Sequence, residues 1–161
     1  MSRIRQFFAH LTARVTPSEQ ADAHAILPPS AQALFDAMPV ADRRHALDVV
    51  AHLRRAGHHD PELLVAALLH DAAKGERMRL WHRVAGVLMA AMTPRLLTRL
   101  ASADPESWRY PFHLYLHHAE LSAVVALEAG CSPRSAALIR GAPDAADGGA
   151  LSALRVADEA S

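Results

Sequence analysis

The sequence predicts an all-α fold, a single-domain helical bundle, and three observations carry that expectation. Apolar residues recur at helical spacing, β-branched runs are short, and no segment alternates cleanly. Helix-start signals recur along the chain, among them Thr16-Pro17, Asp60-Pro61, Thr93-Pro94, Asp104-Pro105 and Ser132-Pro133, each pairing a capping residue with a proline at the first helical position. The hydrophobic fraction is 51% but aromatics are only 5%, so alanine and the aliphatic residues must form the core. At 161 residues the chain is long enough for one domain with a core of its own.

The elements follow in order. Ile4, Phe7, Phe8, Leu11 and Val15 form an apolar stripe at helical spacing. Thr16-Pro17-Ser18-Glu19 is a capping box that opens a helix to about Leu27. Pro28-Pro29-Ser30 breaks it, and a short helix carries Ala33, Leu34, Phe35 and Met38. Ala41-Asp42 opens the next, which runs through His45 and His52 and stops at Gly57. Asp60-Pro61-Glu62 starts a helix in which every residue from Leu63 to Leu69 is apolar. A helix apolar on all faces is buried on all faces, which makes this one the centre of the bundle. It ends at His70-Asp71, with Gly75 just beyond. The stretch from Arg77 to Met92 is amphipathic, and Thr93-Pro94 starts a short helix. Asp104-Pro105-Glu106 precedes a long one from about Pro111 to Ala129. Ser132-Pro133 opens another, Asp144 to Gly149 is expected as a loop, and Ala150 to Glu159 as the last helix.

Charge and cysteine usage exclude several classes. Seventeen acids balance seventeen bases, so the basic excess of a nucleic-acid-binding domain is missing and no nucleic-acid partner is expected. The single Cys131 allows no intramolecular disulfide, and a reducing, cytoplasmic setting is expected. Met1 to Val15 mixes Arg, His and Gln with its apolar residues, so no signal peptide is expected. The apolar run from Val84 to Met92 is too short to span a bilayer.

The chemistry concentrates at the end of the central helix. Lys74 is the only lysine in the chain; every other side-chain cation is arginine. It follows His70-Asp71 by one helical turn, so an imidazole, a carboxylate and a compact ammonium meet there, which suits a metal site with a phosphate-binding neighbour. A second pair, His59-Asp60, precedes Pro61 and is explained by helix capping. Asp71 ends the most buried helix, and a buried carboxylate needs a cation, donors or a metal. His45 precedes Val49 and Leu53 at i+4 and i+8, and Asp158 extends the stripe of Leu151 and Leu154, so both are expected to face inward. One divalent ion held by His45, His70, Asp71 and Asp158 accounts for all four positions. Imidazole and carboxylate donors suit Mn, Fe, Co, Ni or Zn, and Mg less well. The plainer alternative pairs Asp158 with an arginine and leaves both histidines as hydrogen-bonded core residues.

The run from Asp42-Arg43-Arg44-His45, through Asp60-Pro61-Glu62-Leu63, to Leu68-Leu69-His70-Asp71-Ala72-Ala73-Lys74-Gly75 resembles the HD superfamily of metal-dependent phosphohydrolases. That family shows a lone His, a His-Asp pair followed by Lys, and a distant Asp; the positions fall on His45, His70, Asp71, Lys74 and Asp158. The resemblance covers residues 40–161 as an HD-type helical domain and leaves 1–39 as an N-terminal helical extension packing on it. It implies a divalent metal, one per chain, and hydrolysis of a phosphate ester or anhydride on a phosphorylated small molecule or nucleotide. The catalytic residues it implies are Asp71, Lys74 and His118, with Asp71 orienting water, Lys74 neutralising a phosphate oxygen, and His118 binding phosphate or protonating the leaving oxygen. Members with two metals carry further histidines; His82 and His117 are candidates beside His118, but no His occurs after His118 to complete a second site. Arg77, Arg79 and Arg83 could bind further phosphates. The alternative is a catalytically degenerate HD-type module that binds metal, nucleotide or a partner without turnover.

Overall fold

The computed structural model describes residues 14–75, 78 and 80–161, and for residues 80 and 83 the backbone only. The stripe from Ile4 to Leu11 and the arginines Arg77 and Arg79 lie outside the described residues, as does the side chain of Arg83. Among the described residues the chain is all-helical, with nine α-helices, one 3-10 turn and no strand. The helices are α1 (Pro17–Ile26), α2 (Pro29–Asp36), α3 (Val40–Arg55), α4 (Pro61–Leu69), α5 (Leu80–Met92), α6 (Pro94–Leu100), α7 (Tyr110–Glu128), α8 (Pro133–Arg140) and α9 (Gly148–Ala160).

The start signals act as their chemistry requires. Thr16 accepts from the Glu19 amide while the Glu19 carboxylate accepts from the Thr16 amide at 2.9 Å, closing the capping box of α1. Asp60 accepts from the Glu62 amide at 3.0 Å and caps α4. Asp104 forms a turn by accepting from the Glu106 amide, and α7 begins only at Tyr110. The segment expected as a loop from Asp144 to Gly149 is instead a 3-10 turn (Ala145–Asp147) that runs directly into α9 at Gly148. Arg134 explains the difference, because its guanidinium grips Asp147 through two bonds of 2.9 and 2.8 Å and fixes the turn.

Helix α4 is the hub. All seven residues from Leu63 to Leu69 are buried, and α1, α3, α8 and α9 pack around it. Ala23, Leu27 and Phe35 from the first two helices join the same apolar cluster as Leu53, Leu68, Leu138 and Leu154. Truncating one such leucine to alanine costs about 2–5 kcal/mol. Residues of α5 and α6, including Val84, Leu88, Met92 and Leu96, leave an apolar face exposed. No helix among the described residues is long and apolar enough to cross a membrane.

Because α4 is enclosed on every side, whatever its last turn carries is enclosed too. That turn delivers His70 and Asp71 to a place where α3, α7 and α9 converge.

Candidate metal centre

His70 closes α4, and its ring is oriented by its own helix. Its Nδ1 lies 2.9 Å from the Ala67 carbonyl, which can only accept, so Nδ1 donates and Nε2 is the nitrogen that offers a lone pair once the ring is neutral. The following turn is pinned at three points. The Ala72 amide donates to the Leu69 carbonyl and the Lys74 amide to the Asp71 carbonyl, both at 3.0 Å. The Ala73 amide donates to Ser122 Oγ on α7, also at 3.0 Å. Gly75 then turns the chain away in the left-handed region, φ 56°.

Around this turn the structure brings together His45 from α3, His70 and Asp71 from the end of α4, and Asp158 from α9. His45 Nε2 lies 2.8 Å from Asp158 Oδ1, and His70 Nε2 lies 3.5 Å from the same oxygen. The two imidazoles meet edge to face with centroids 5.4 Å apart. His45, His70 and Asp158 each offer a ligand atom within 4.8 Å of the others. Asp71 lies beside this trio, with Oδ2 3.6 Å from His70 Nε2 and 2.5 Å from Lys74 Nζ. Asp158 turns inward to both histidines, as its spacing from Leu154 led us to expect, but it is not enclosed; its side chain is 47% exposed.

Two buried atoms decide what the cluster suits. His70 Nε2 and Asp71 Oδ1 are buried and have no hydrogen-bond partner. An orphaned buried polar atom costs about 1–3 kcal/mol, and here the cost falls on two residues adjacent in the chain and within one cluster of ligand-type side chains. Asp71 Oδ1 is an electron-pair donor, and so is His70 Nε2 once its proton has left, so a cation that takes the proton's place satisfies both. Imidazole nitrogen and carboxylate oxygen together fit a divalent transition ion.

The electrostatics agree with this arrangement. Burial by itself would lower the His70 pKa, but the Asp71 carboxylate, followed by Asp158, overrides it and raises the value to about 9. Burial would raise Asp71, yet His70 and then Lys74 hold its carboxyl well below the usual range. Asp158 is likewise pushed up by burial and held far down by hydrogen bonding to His45 and by His70. Two carboxylates therefore stay ionised in a mostly enclosed space, and in the protein alone a proton on His70 balances them.

His118, on α7, reaches the same place: its Nε2 is 3.9 Å from Asp71 Oδ1. Its Nδ1 donates to the Tyr115 carbonyl at 3.0 Å, repeating the arrangement at His70. Burial, then Lys74, lowers its pKa, so at neutral pH it is an uncharged base. The remaining histidine candidates lie elsewhere. His82 is stacked on Trp81 at 3.6 Å and lies against Phe112, and His117 stacks on His113 at 4.5 Å. Ser122 is a site residue that the sequence reading passed over, because a serine inside a long helix carries no local signal.

No family model matches the chain, and no curated protein or solved structure matches it.

Proposed function

We propose that this chain is a metal-dependent phosphohydrolase with an HD-type helical fold, acting on a phosphate ester or anhydride. The observation that carries the reading is the pair of orphaned buried atoms, His70 Nε2 and Asp71 Oδ1, set between His45, Asp158 and the chain's only lysine. His45, His70, Asp71 and Asp158 would hold one divalent ion, of the Mn, Fe, Co, Ni or Zn type. When bound, such an ion supplies Lewis acidity toward a phosphoryl oxygen and acidifies water.

The chain's own residues divide the remaining work. Asp71 orients the attacking water through the oxygen that Lys74 does not hold. His118, neutral and with Nε2 unprotonated, accepts the water's proton as the new P–O bond forms. The departing oxygen, on the opposite side of phosphorus, takes its proton from solvent as the old P–O bond breaks, and the His118 proton is then released to solvent. This changes the role expected for His118 from acid to base, since a histidine with a lowered pKa is unprotonated when the substrate arrives. Lys74 offsets charge on a non-bridging oxygen; a preorganised donor of this kind accounts for about 10²–10³ in rate. Buried Asp71 holds the ammonium in position before substrate arrives.

The test is turnover of an aryl phosphate and of inorganic diphosphate by the full chain with added Mn, Co or Ni. Hydrolysis that disappears in His118→Ala, with ion uptake retained, supports the reading. A chain that takes up the ion and hydrolyses neither compound is a binding module instead.

A further inference from the structure

The ligand cluster opens into a cleft of about 220 Å³ between α7, α8 and α9, bordered by His70, His118 and Asp158 on one side. Leu138, Ile139, Leu151 and Leu154 give it apolar walls. Besides His118 and the metal-site groups, its ionisable side chains are Arg140, from the end of α8, and Arg155, from α9. They carry one sign of charge. Arg155 precedes Asp158 by three residues, so the helix carries its guanidinium on the same face as the carboxylate that joins the metal trio.

Neither arginine has its guanidinium fully engaged by the fold. Among the described residues the Arg155 side chain makes no hydrogen bond or ion pair. Its guanidinium rests over Gly141, where a Cβ would stand 3.4 Å from Nη2; Gly141 is the left-handed cap of α8, with φ 76°. Arg140 uses Nε for Glu120, at 2.9 Å on an exposed edge, and a guanidinium carries five donors in all. Both side chains are exposed, and both border the concave space beside the candidate site.

We infer that this cleft is a second anion subsite, in which Arg140 and Arg155 hold a further acidic group of the substrate, a phosphate or a carboxylate, beyond the phosphate that is cleaved. The inference rests on the phosphohydrolase reading of the adjoining site and narrows its substrate. Binding pockets for drug-sized ligands run to about 300–1,000 Å³, so this cleft suits a compact, doubly anionic phosphorylated molecule. Guanidinium pairs with carboxylate or phosphate are bidentate and charge-assisted, which supplies the selectivity.

The test uses three non-hydrolysable probes on the full chain loaded with one equivalent of Mn: propylphosphonate, 3-phosphonopropionate and ethane-1,2-diphosphonate. The first has one anionic group, and the others add a carboxylate or a second phosphonate. Calorimetric titration should show the doubly anionic probes binding at least about tenfold more tightly than propylphosphonate. Whichever of the two binds better identifies the second group. In Arg155→Gln and in Arg140→Gln the ratio should fall toward one. Equal affinity for all three probes in a Mn-loaded wild type overturns the subsite alone and leaves the phosphohydrolase reading standing. A ratio unchanged in both variants also overturns it. A chain that holds neither Mn nor any probe overturns the subsite and the parent reading together.

Discussion

Helix α4 carries a His-Asp pair at each end, and the two are built in opposite ways. At the N-terminal end Asp60 caps the helix and also meets Arg134, whose Nη1 and Nη2 lie 3.0 and 2.5 Å from its two oxygens. The same guanidinium reaches Glu62 at 2.9 Å and Asp147 at 2.8 Å, tying α4, α8 and the entry to α9 into one cluster with its partners in place. At the C-terminal end Asp71 has a single firm partner, Lys74, and leaves its other oxygen unmatched beside His70 Nε2. The difference is one of satisfaction: the Asp60 carboxylate is surrounded by donors and half-exposed to water, whereas the Asp71 carboxylate is buried with one oxygen unpaired, which is what the proposed metal role requires.

Four perturbations should separate the two ends, from the largest effect to the smallest. His70→Ala removes the central donor of the C-terminal cluster, so metal affinity should fall at least about a hundredfold and turnover should vanish, read by equilibrium dialysis and a phosphate-release assay. Lys74→Ala should keep the metal and lose about 10²–10³ in kcat; unchanged kcat would remove its phosphate role. The third perturbation is pH. The folded His70 titrates at about 9, above its ordinary 6.5, so in metal-free protein its stabilisation is complete below about 6.5 and is lost as pH rises through 9. Melting temperature of the metal-free chain should fall across that window by an amount equivalent to roughly 1–3 kcal/mol, and the metal-loaded chain should not show the fall. Asp60 and Glu62, whose pKa values are lowered mainly by hydrogen bonds to Arg134 and Ser132, respectively, behave oppositely: their contribution is present above their ordinary pKa values and is lost toward acid. The smallest effect is Arg134→Ala, which should cost about 1–2 kcal/mol, since exposed ion pairs count for little singly and more in a network. Thermal unfolding should shift down by a few degrees while metal content and turnover stay at wild-type levels. A loss of metal in that variant would show that the two ends are coupled.

The parts of this picture that were legible in the sequence are those written in short windows. The Asp60-Pro61 start, the unbroken apolar run from Leu63 to Leu69, and the sequence His70-Asp71 followed by Lys74 all lie within fifteen residues of one another. They pointed to an all-helical hub and to the candidate site at its C-terminal end. His45 and Asp158 followed from helical spacing, but spacing gives the face of a helix and not its depth, so the half-exposed position of Asp158 was not legible there. The Arg134 cluster joins residues more than seventy positions apart, and Ser122 meets Ala73 across 49. Such contacts are made by tertiary packing alone, and no local pattern announces them. The same holds for Arg140 and Arg155, which lie on different helices and share one cleft in the fold.

The most direct test of the central claim is elemental analysis of the full chain, purified without chelator or affinity-tag metal, beside a His70→Ala, Asp71→Ala double variant. The account predicts about one transition-metal ion per wild-type chain, and loss of that ion in the variant. A wild type that carries no ion and takes up none of added Mn, Co or Ni would contradict it, as would a variant that keeps its metal.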